Sequence, residues 1–418
     1  MKQKFRLTPL ERSWVAYDIG NSAFTMLVAT LFPIFFNALA ESAGISATDY
    51  LAYWGYAGSI ATLCVAFIGP VCGTLADHKG FKKPIFLTAL LIGTVGCATL
   101  GFFSGWLTFL VVYVVVKVAY SSGNVFYDAM LPEVTSEDRM DRISSMGYAY
   151  GYIGSCIPFL LSLVLVLMHG AFGLTQGQGM IAAFAVTAVW WFLLGVPLLR
   201  RYRQTAYVEH QGNPVSHSFR QLGRTLRNAR QEKHIFLYLL SCFFFIDGVY
   251  TIIDMATAYG TALGLDTTGL LLALLVTQLV AFPFAILFGR LAAKYNTGKL
   301  IKLCILAYTG IAVFAMFLNF QWQFWMLAVL VGMFQGGIQA LSRSYLGKII
   351  PAERSGEYFG LMDICGKGAS FVGMTLVSVV SQVTENMHLA VGSLVIIFVI
   401  GFFLFCKADR LNASVLSQ

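Results

Sequence analysis

Residues 73–83 read Gly73-Thr74-Leu75-Ala76-Asp77-His78-Lys79-Gly80-Phe81-Lys82-Lys83. An apolar run exits through G-x-L-A, an acid follows, and three lysines crowd a tight loop. The chain repeats the phrase in weaker form as Gly289-Arg290-Leu291-Ala292-Ala293-Lys294-Tyr295-Asn296-Thr297-Gly298-Lys299, with Ala293 where the first copy has Asp77. A second echo pairs Leu131-Pro132 with Ile350-Pro351, each opening a charged loop that carries Arg. The two copies make the chain a tandem of related halves.

Composition fixes the solvent. Of 418 residues, 58% are hydrophobic and 11% charged, where a soluble chain carries about 25% charge. So much apolar surface cannot be hidden from water in a chain of this length, which predicts an integral membrane protein in contact with the lipid bilayer. The 15% aromatic content and 40 glycines fit membrane helices and their interfaces. A net charge of +8 does not make a nucleic-acid binder, because it lies in the loops. The first 13 residues are polar and basic, and the apolar run behind them is too long for a cleavable signal peptide.

About 20 apolar residues cross a bilayer as a helix. On that ruler twelve spans are expected, at 14–39, 51–75, 84–103, 106–128, 143–168, 180–199, 235–259, 269–292, 300–320, 322–346, 358–380 and 389–406. Pro33, Pro70, Pro158 and Pro283 fall inside spans, where neighbouring helices can re-satisfy the freed backbone groups. With the N-terminus placed in the cytoplasm, every Lys and Arg except Lys117 and Lys367 falls in a loop or at a span end on that side. Positive charge marks the cytoplasmic face, so both termini are expected inside, in a bacterial plasma membrane.

One long polar loop, 200–234, separates six spans from six. The expected organisation is a helical bundle over 1–199, a basic cytoplasmic linker over 200–234 and a second bundle over 235–418. The stretch 219–234 reads either as an amphipathic helix on the anionic inner leaflet or as a solvated linker. The fold class predicted is all-α, with twelve transmembrane helices in two pseudo-symmetric six-helix bundles. Transporters built from repeated halves bind their substrates between the halves.

The loop G-T-L-A-D-H-K-G-F-K-K, in this position, resembles the signature of the major facilitator superfamily, and the resemblance in topology covers nearly the whole chain. More narrowly, Trp14-Val15-Ala16-Tyr17-Asp18-Ile19-Gly20-Asn21-Ser22-Ala23-Phe24 resembles the first helix of one subgroup. So do Phe126-Tyr127-Asp128-Ala129-Met130-Leu131-Pro132-Glu133 and Gln339-Ala340-Leu341-Ser342-Arg343-Ser344. That subgroup joins autophagy-linked vacuolar amino-acid effluxers of fungi to bacterial relatives. The resemblance implies alternating-access transport, with an amino-acid-like solute and efflux as the favoured form. It also implies that Asp77, with Lys79, Lys82 and Lys83, joins a charge relay that braces the two halves when the inner gate is shut. Asp128 stands where the subgroup's pattern has Asn.

A charge at the bilayer centre costs about 2.5–3.5 kcal/mol even on insertion scales. Lys117 and Asp247 are the middle residues of their spans, and Asp254 lies two turns beyond Asp247, about 10 Å outward on the same face. Asp363 and Lys367 are one turn apart; Gln335 and Gln339 stripe the tenth span below Gly336-Gly337. On a functional reading these groups line a central cavity. Lys117, Lys367, Gln335, Gln339, Asn21 and Asp247 then bind substrate, and Asp247, Asp254 or Asp363 holds a coupled proton. Lys117 and Asp247, at one depth on opposite halves, either clasp the two ends of a zwitterion or neutralise each other. The structural alternatives are an intrahelical Asp363–Lys367 ion pair and amides that glue helices together. Asp18, Asp128 and Arg343 join the loop residues as gate candidates. Asp77 is also placed to meet the start of the eleventh span, where a helix dipole favours an anion.

Cysteines sit in or beside apolar runs without CxxC or histidine at ligand spacing, so no metal and no redox role is expected. His169 and His388 read as outer-loop residues. No Walker A lysine motif and no HExxH occurs, so an enzyme is not expected, nor a cofactor. The energy source is then an ion gradient, protons first and sodium second. The chain is expected to act as a monomer on a small polar, anionic or zwitterionic solute. A lipid or lysolipid flippase on the same fold, and a receptor or scaffold without transport, are the alternatives.

Overall fold

The computed structural model describes residues 5–45, 47–209, 232–263, 265–364, 370–384 and 386–416. They are helical almost throughout: α1 (Pro9–Ala29), α2 (Leu31–Ser42), α3 (Ala47–Ala76), α4 (Lys82–Thr99), α5 (Trp106–Ala129), the short α6 (Leu131–Val134), α7 (Glu137–Leu167) and α8 (Gln176–Arg201) precede the linker. After it come α9 (Lys233–Ala262), α10 (Thr267–Ala292), α11 (Thr297–Ala315), α12 (Gln321–Ile349), α13 (Ser355–Asp363), α14 (Ser370–Thr384), α15 (Met387–Gly392) and α16 (Leu394–Leu416). In lipid a helix satisfies its own backbone. Its ends still need caps, and the sequence supplies them: Thr8 with Glu11, and Thr175 with Gln178, form capping boxes, while Asp266 and Asn296 cap α10 and α11.

Among the described residues, eleven helical segments are long and apolar enough to cross a membrane. The twelfth span is α13 and α14, separated by 365–369, which lie outside the described residues. Two spans depart from their expected form: the last in chain order is interrupted at Ser393, between α15 and α16, and span one at Thr30. Pro33 clashes with the carbonyl four residues back, and α1 ends there, at Ala29. Thr30 leaves the helical region at φ −131°, and α2 restarts at Leu31. Pro70, Pro158 and Pro283 sit inside unbroken helices.

Each half packs its own bundle: α1 lies against α7 and α8, and α4 against α5 and α8. In the second half α10 lies against α12 and α9 against α16. The halves meet along two seams, α3 against α13 and α7 against α10 and α12. At the first seam a β-carbon on Gly73 would run into the carbonyl of Gly356, and one on Gly356 into that of Gly73. Backbone therefore lies on backbone at the exit of the G-x-L-A phrase. The second copy repeats the approach on the other seam, where a β-carbon on Gly289 would fall 2.6 Å from that of Ser145.

Candidate functional site between the halves

Three polar clusters close the linker face of the molecule. The first is built on α12. Arg343 inserts into a socket of the first half, with only 4% of its side chain exposed. Its Nη1 lies 3.0 Å from Asp128 and its Nη2 3.4 Å from Asp18. Nε donates to Ser144 Oγ at 2.9 Å and Nη2 to the Ser144 carbonyl at 2.8 Å. The guanidinium lies over Tyr148 at 4.3 Å and Trp14 at 4.6 Å, so its faces are covered as well as its edge. A planar fork with five donors suits this set of acceptors; an ammonium would not.

The second cluster is at the α3–α13 seam. Asp77, just past the end of α3, accepts the Gly356 N–H at 2.8 Å and the Glu357 N–H at 2.9 Å. An acid from one half thus caps a helix of the other, where the dipole is positive. Lys82, fully buried, reaches Glu133 at 2.9 Å, Ser355 Oγ at 2.9 Å and Asp77 at 3.6 Å. Burial pushes the Asp77 carboxyl up to about 7, against the pull of Lys82 and the two N–H groups. Burial also raises Glu133, but Lys82, the Ala206 N–H and the Tyr202 hydroxyl outweigh it and hold that carboxyl below its ordinary range.

The third cluster, at the α7 seam, centres on Asp141. It accepts from Ser344 Oγ at 2.6 Å, Thr297 Oγ1 at 2.7 Å and Lys348 Nζ at 2.5 Å, all from the second half. Ser144 Oγ donates to the Ala340 carbonyl at 2.7 Å and Tyr152 to Gln339 at 2.8 Å.

Beside the Arg343 socket lies a pocket whose walls come from both halves: Val125, Asp128 and Tyr148 from the first, Cys242, Ile246, Tyr250, Gln339, Arg343, Phe359, Met362 and Asp363 from the second. Of the residues singled out in the sequence, Asp128, Gln339, Arg343 and Asp363 meet here. Asp18 backs onto it through Arg343. Gln335, one turn from Gln339, is buried, with its Oε1 lacking a partner among the described residues. Asn21 is turned into the first half, donating to Asn124 at 2.7 Å.

The mid-membrane charges pair differently from the depth count. Asp247 is buried within the second half, accepting from the Gly373 N–H at 3.3 Å and Thr251 Oγ1 at 3.4 Å. The charge of Lys117 bears on Asp254 instead, and Asp254 is exposed. Lys117 itself lies 5.8 Å from the Tyr113 ring centre. Lys79 is exposed and points to Glu209 at 3.6 Å, and Lys83 has no ion pair among the described residues. Lys367, and with it the Asp363–Lys367 pair, lies outside the described residues.

Glu133, Asp141, Ser144, Tyr148, Tyr152 and Ser355 carry much of this geometry and were not singled out from the sequence. A signal existed for four of them: Asp141, Ser144, Tyr148 and Tyr152 recur every three or four residues, a polar stripe on one helical face.

Two membrane-embedded halves that close one face and share a central pocket define a transporter of the major facilitator class. By sequence the chain belongs to the family described as "Vacuole effluxer Atg22 like", which it matches over residues 10–415. It is 41% identical to the uncharacterized MFS-type transporter YxiO of Bacillus subtilis, over 99% of this chain and 98% of that one. To autophagy-related protein 22 of Kluyveromyces lactis it is 25% identical, over 84% of this chain and 77% of the other. In fold it is similar to the major facilitator superfamily transporter FucP in the outward conformation, at a TM-score of 0.70 and 13% identity, covering 96% and 97% of the two chains. The protein is therefore a multi-pass membrane transporter, not an enzyme.

Proposed function

We propose that the chain is a proton-coupled, alternating-access transporter for a small solute bearing both charges, amino-acid-like, bound in the pocket between the halves. The observation that carries this reading is the pocket itself. It draws an acid from each half, Asp128 and Asp363, and an amide, Gln339, around a buried guanidinium. Such a site offers acceptors for an ammonium group and donors for a carboxylate, and it is split when the halves part. Three clusters shut the linker face below it. With the basic loops on the cytoplasmic side, this is the outward-facing form of a monomer in a bacterial plasma membrane with both termini inside, and efflux is the favoured direction.

Asp247 and Asp254 are the proposed proton sites, and Lys117, which lies outside the wall of that pocket, is the proposed partner of a substrate carboxylate at a second position. The gradient supplies the work, about 2.3 kcal/mol for each charge moved through 100 mV. The test is a thermal-shift screen of purified protein against amino acids, peptides, nucleosides, sugar phosphates and lysolipids, followed by uptake into proteoliposomes under an imposed pH gradient. Stabilisation by amino acids and pH-driven uptake support the reading. Stabilisation by lysolipids alone makes the protein a flippase and overturns it, and pH-independent uptake removes the proton.

A further inference from the structure

The chain that leaves α8 does not swing free of the protein. Tyr202 is buried, and its hydroxyl donates to Glu133 Oε1 at 2.7 Å. The N–H groups of Thr205 and Ala206 donate to Glu133 Oε2 at 2.6 and 3.0 Å. Gln204 spans the loop between α3 and α4, donating to the Ala76 carbonyl at 3.1 Å and accepting the Gly80 N–H at 3.0 Å. The Val208 N–H donates to the Asp77 carbonyl at 2.8 Å.

These contacts fall on the residues that reach the other half. Asp77 holds the chain after α8 with its carbonyl and the start of α13 with its carboxylate. Glu133 shares Lys82 with Ser355 of the second half. A carboxylate offers about four lone-pair sites. Tyr202 shares Oε1 with Lys82. Oε2 accepts the Thr205 and Ala206 N–H groups and, at 3.2 Å, the Thr205 hydroxyl, so most of the sites are filled by those three residues. Without them Glu133 is a buried anion short of donors, and it draws the Lys82 ammonium to itself, away from Ser355 and Asp77. The far end of the linker is tied to the opposite side of the same seam: Glu232 lies 3.2 Å from Arg354 and accepts from the Tyr358 hydroxyl on α13.

We propose that residues 202–208 are a strap that positions Asp77 and Lys82 for closing, so that docking of the linker sets how firmly the α3–α13 seam stays shut. The strap residues touch neither the pocket nor the solute, and the proposal does not depend on what is transported.

Hydrogen exchange on the full-length protein in lipid nanodiscs tests it. Ala206→Pro and Val208→Pro each delete one strap N–H without altering a residue of the seam. Exchange across 355–363, which contains the two N–H groups held by Asp77, should rise about tenfold, while α16 keeps its protection. Exchange that rises in 202–208 but stays at the wild-type rate in 355–363 overturns the strap as a positioning device. Should the proline variants also lose protection in α16, Tyr202→Phe carries the test, since it removes only a hydroxyl. A rise of about threefold across 355–363 is then expected, and no change overturns the proposal.

Discussion

Gly73 and Gly356, on opposite halves, approach so closely that a β-carbon on either runs into the backbone of the other. No side chain stands between them to give way. The neighbouring Asp77 can reach the amides of α13 only because the backbones come this near. Gly73→Ala should therefore fold normally within its own half yet fail to close the seam. Cysteine probes in the pocket wall should become reactive from the linker side, by an order of magnitude or more, about 1.4 kcal/mol in the closing equilibrium. Wild-type reactivity would show that the seam can slide and that the glycine is dispensable.

Arg343 carries a heavier charge burden. Arg343→Ala leaves Asp18 and Asp128 facing each other across a buried socket without their cation. Breaking one side of such a pair costs about 3–5 kcal/mol, so the melting temperature should fall and the linker face should open. Arg343→Lys should rescue little, because a single ammonium cannot serve two carboxylates and both oxygens of Ser144 at once. An alanine variant with wild-type melting and accessibility would sink the latch.

Asp77 gives closure a pH dependence. Its carboxyl titrates near 7 when the seam is shut and near an ordinary value of about 4 when solvent reaches it. The shut form thus binds the proton more tightly. Its advantage is complete below about pH 4 and is lost as pH rises through about 7, so linker-face accessibility should climb across that window. Glu133, held below its ordinary range despite its burial by Lys82, the Ala206 N–H and the Tyr202 hydroxyl, carries the opposite sign: its contribution to the shut form is lost as pH falls. Asp77→Asn should flatten the profile. Below about pH 4, where the acid is already neutral, it should also favour the open form by about 1–3 kcal/mol, because an amide sets its own NH2 against one of the two N–H donors. Above about pH 7, where the shut form has lost the advantage of the proton, that difference should narrow. An unchanged profile would assign the slope to another group.

The membrane acids separate by environment. Lys117→Ala should abolish binding of a zwitterionic solute in a thermal-shift assay while the protein still folds, and Asp254→Asn should weaken it. Asp247→Asn should spare substrate exchange and uncouple it from the pH gradient. Full uphill transport by the Asp247 variant would make that acid a structural group, held for Thr251 and the Gly373 amide.

Much of the scaffold could be read from hydropathy and loop charge, because both record contact with lipid. The approach of Asp77 to the start of the eleventh span followed from the polarity of a helix end. Depth could be counted, but rotation about the helix axis could not. Asp247 and Asp254 lie two turns apart, yet one is enclosed by its own half while the other is exposed and feels Lys117. Asp141 falls just before the expected span 143–168, but α7 begins at Glu137, well below the apolar run, and lifts that acid into the seam. The break at Thr30 was hidden by the general tolerance of membrane helices for proline.

The two seams are keyed with opposite polarity. On one, the loop after α3 brings the acid and a helix start receives it; on the other, the loop carries Ala293, the helix start after it offers Thr297, and α7 brings Asp141. Two first halves set face to face would crowd Asp77 against Asp141. Two second halves would offer helix amides to Ala293, which has nothing to accept them. Neither half can shut upon a copy of itself. Expressed as separate tagged chains, the related halves should recover only their opposite, lock with key, and never a twin.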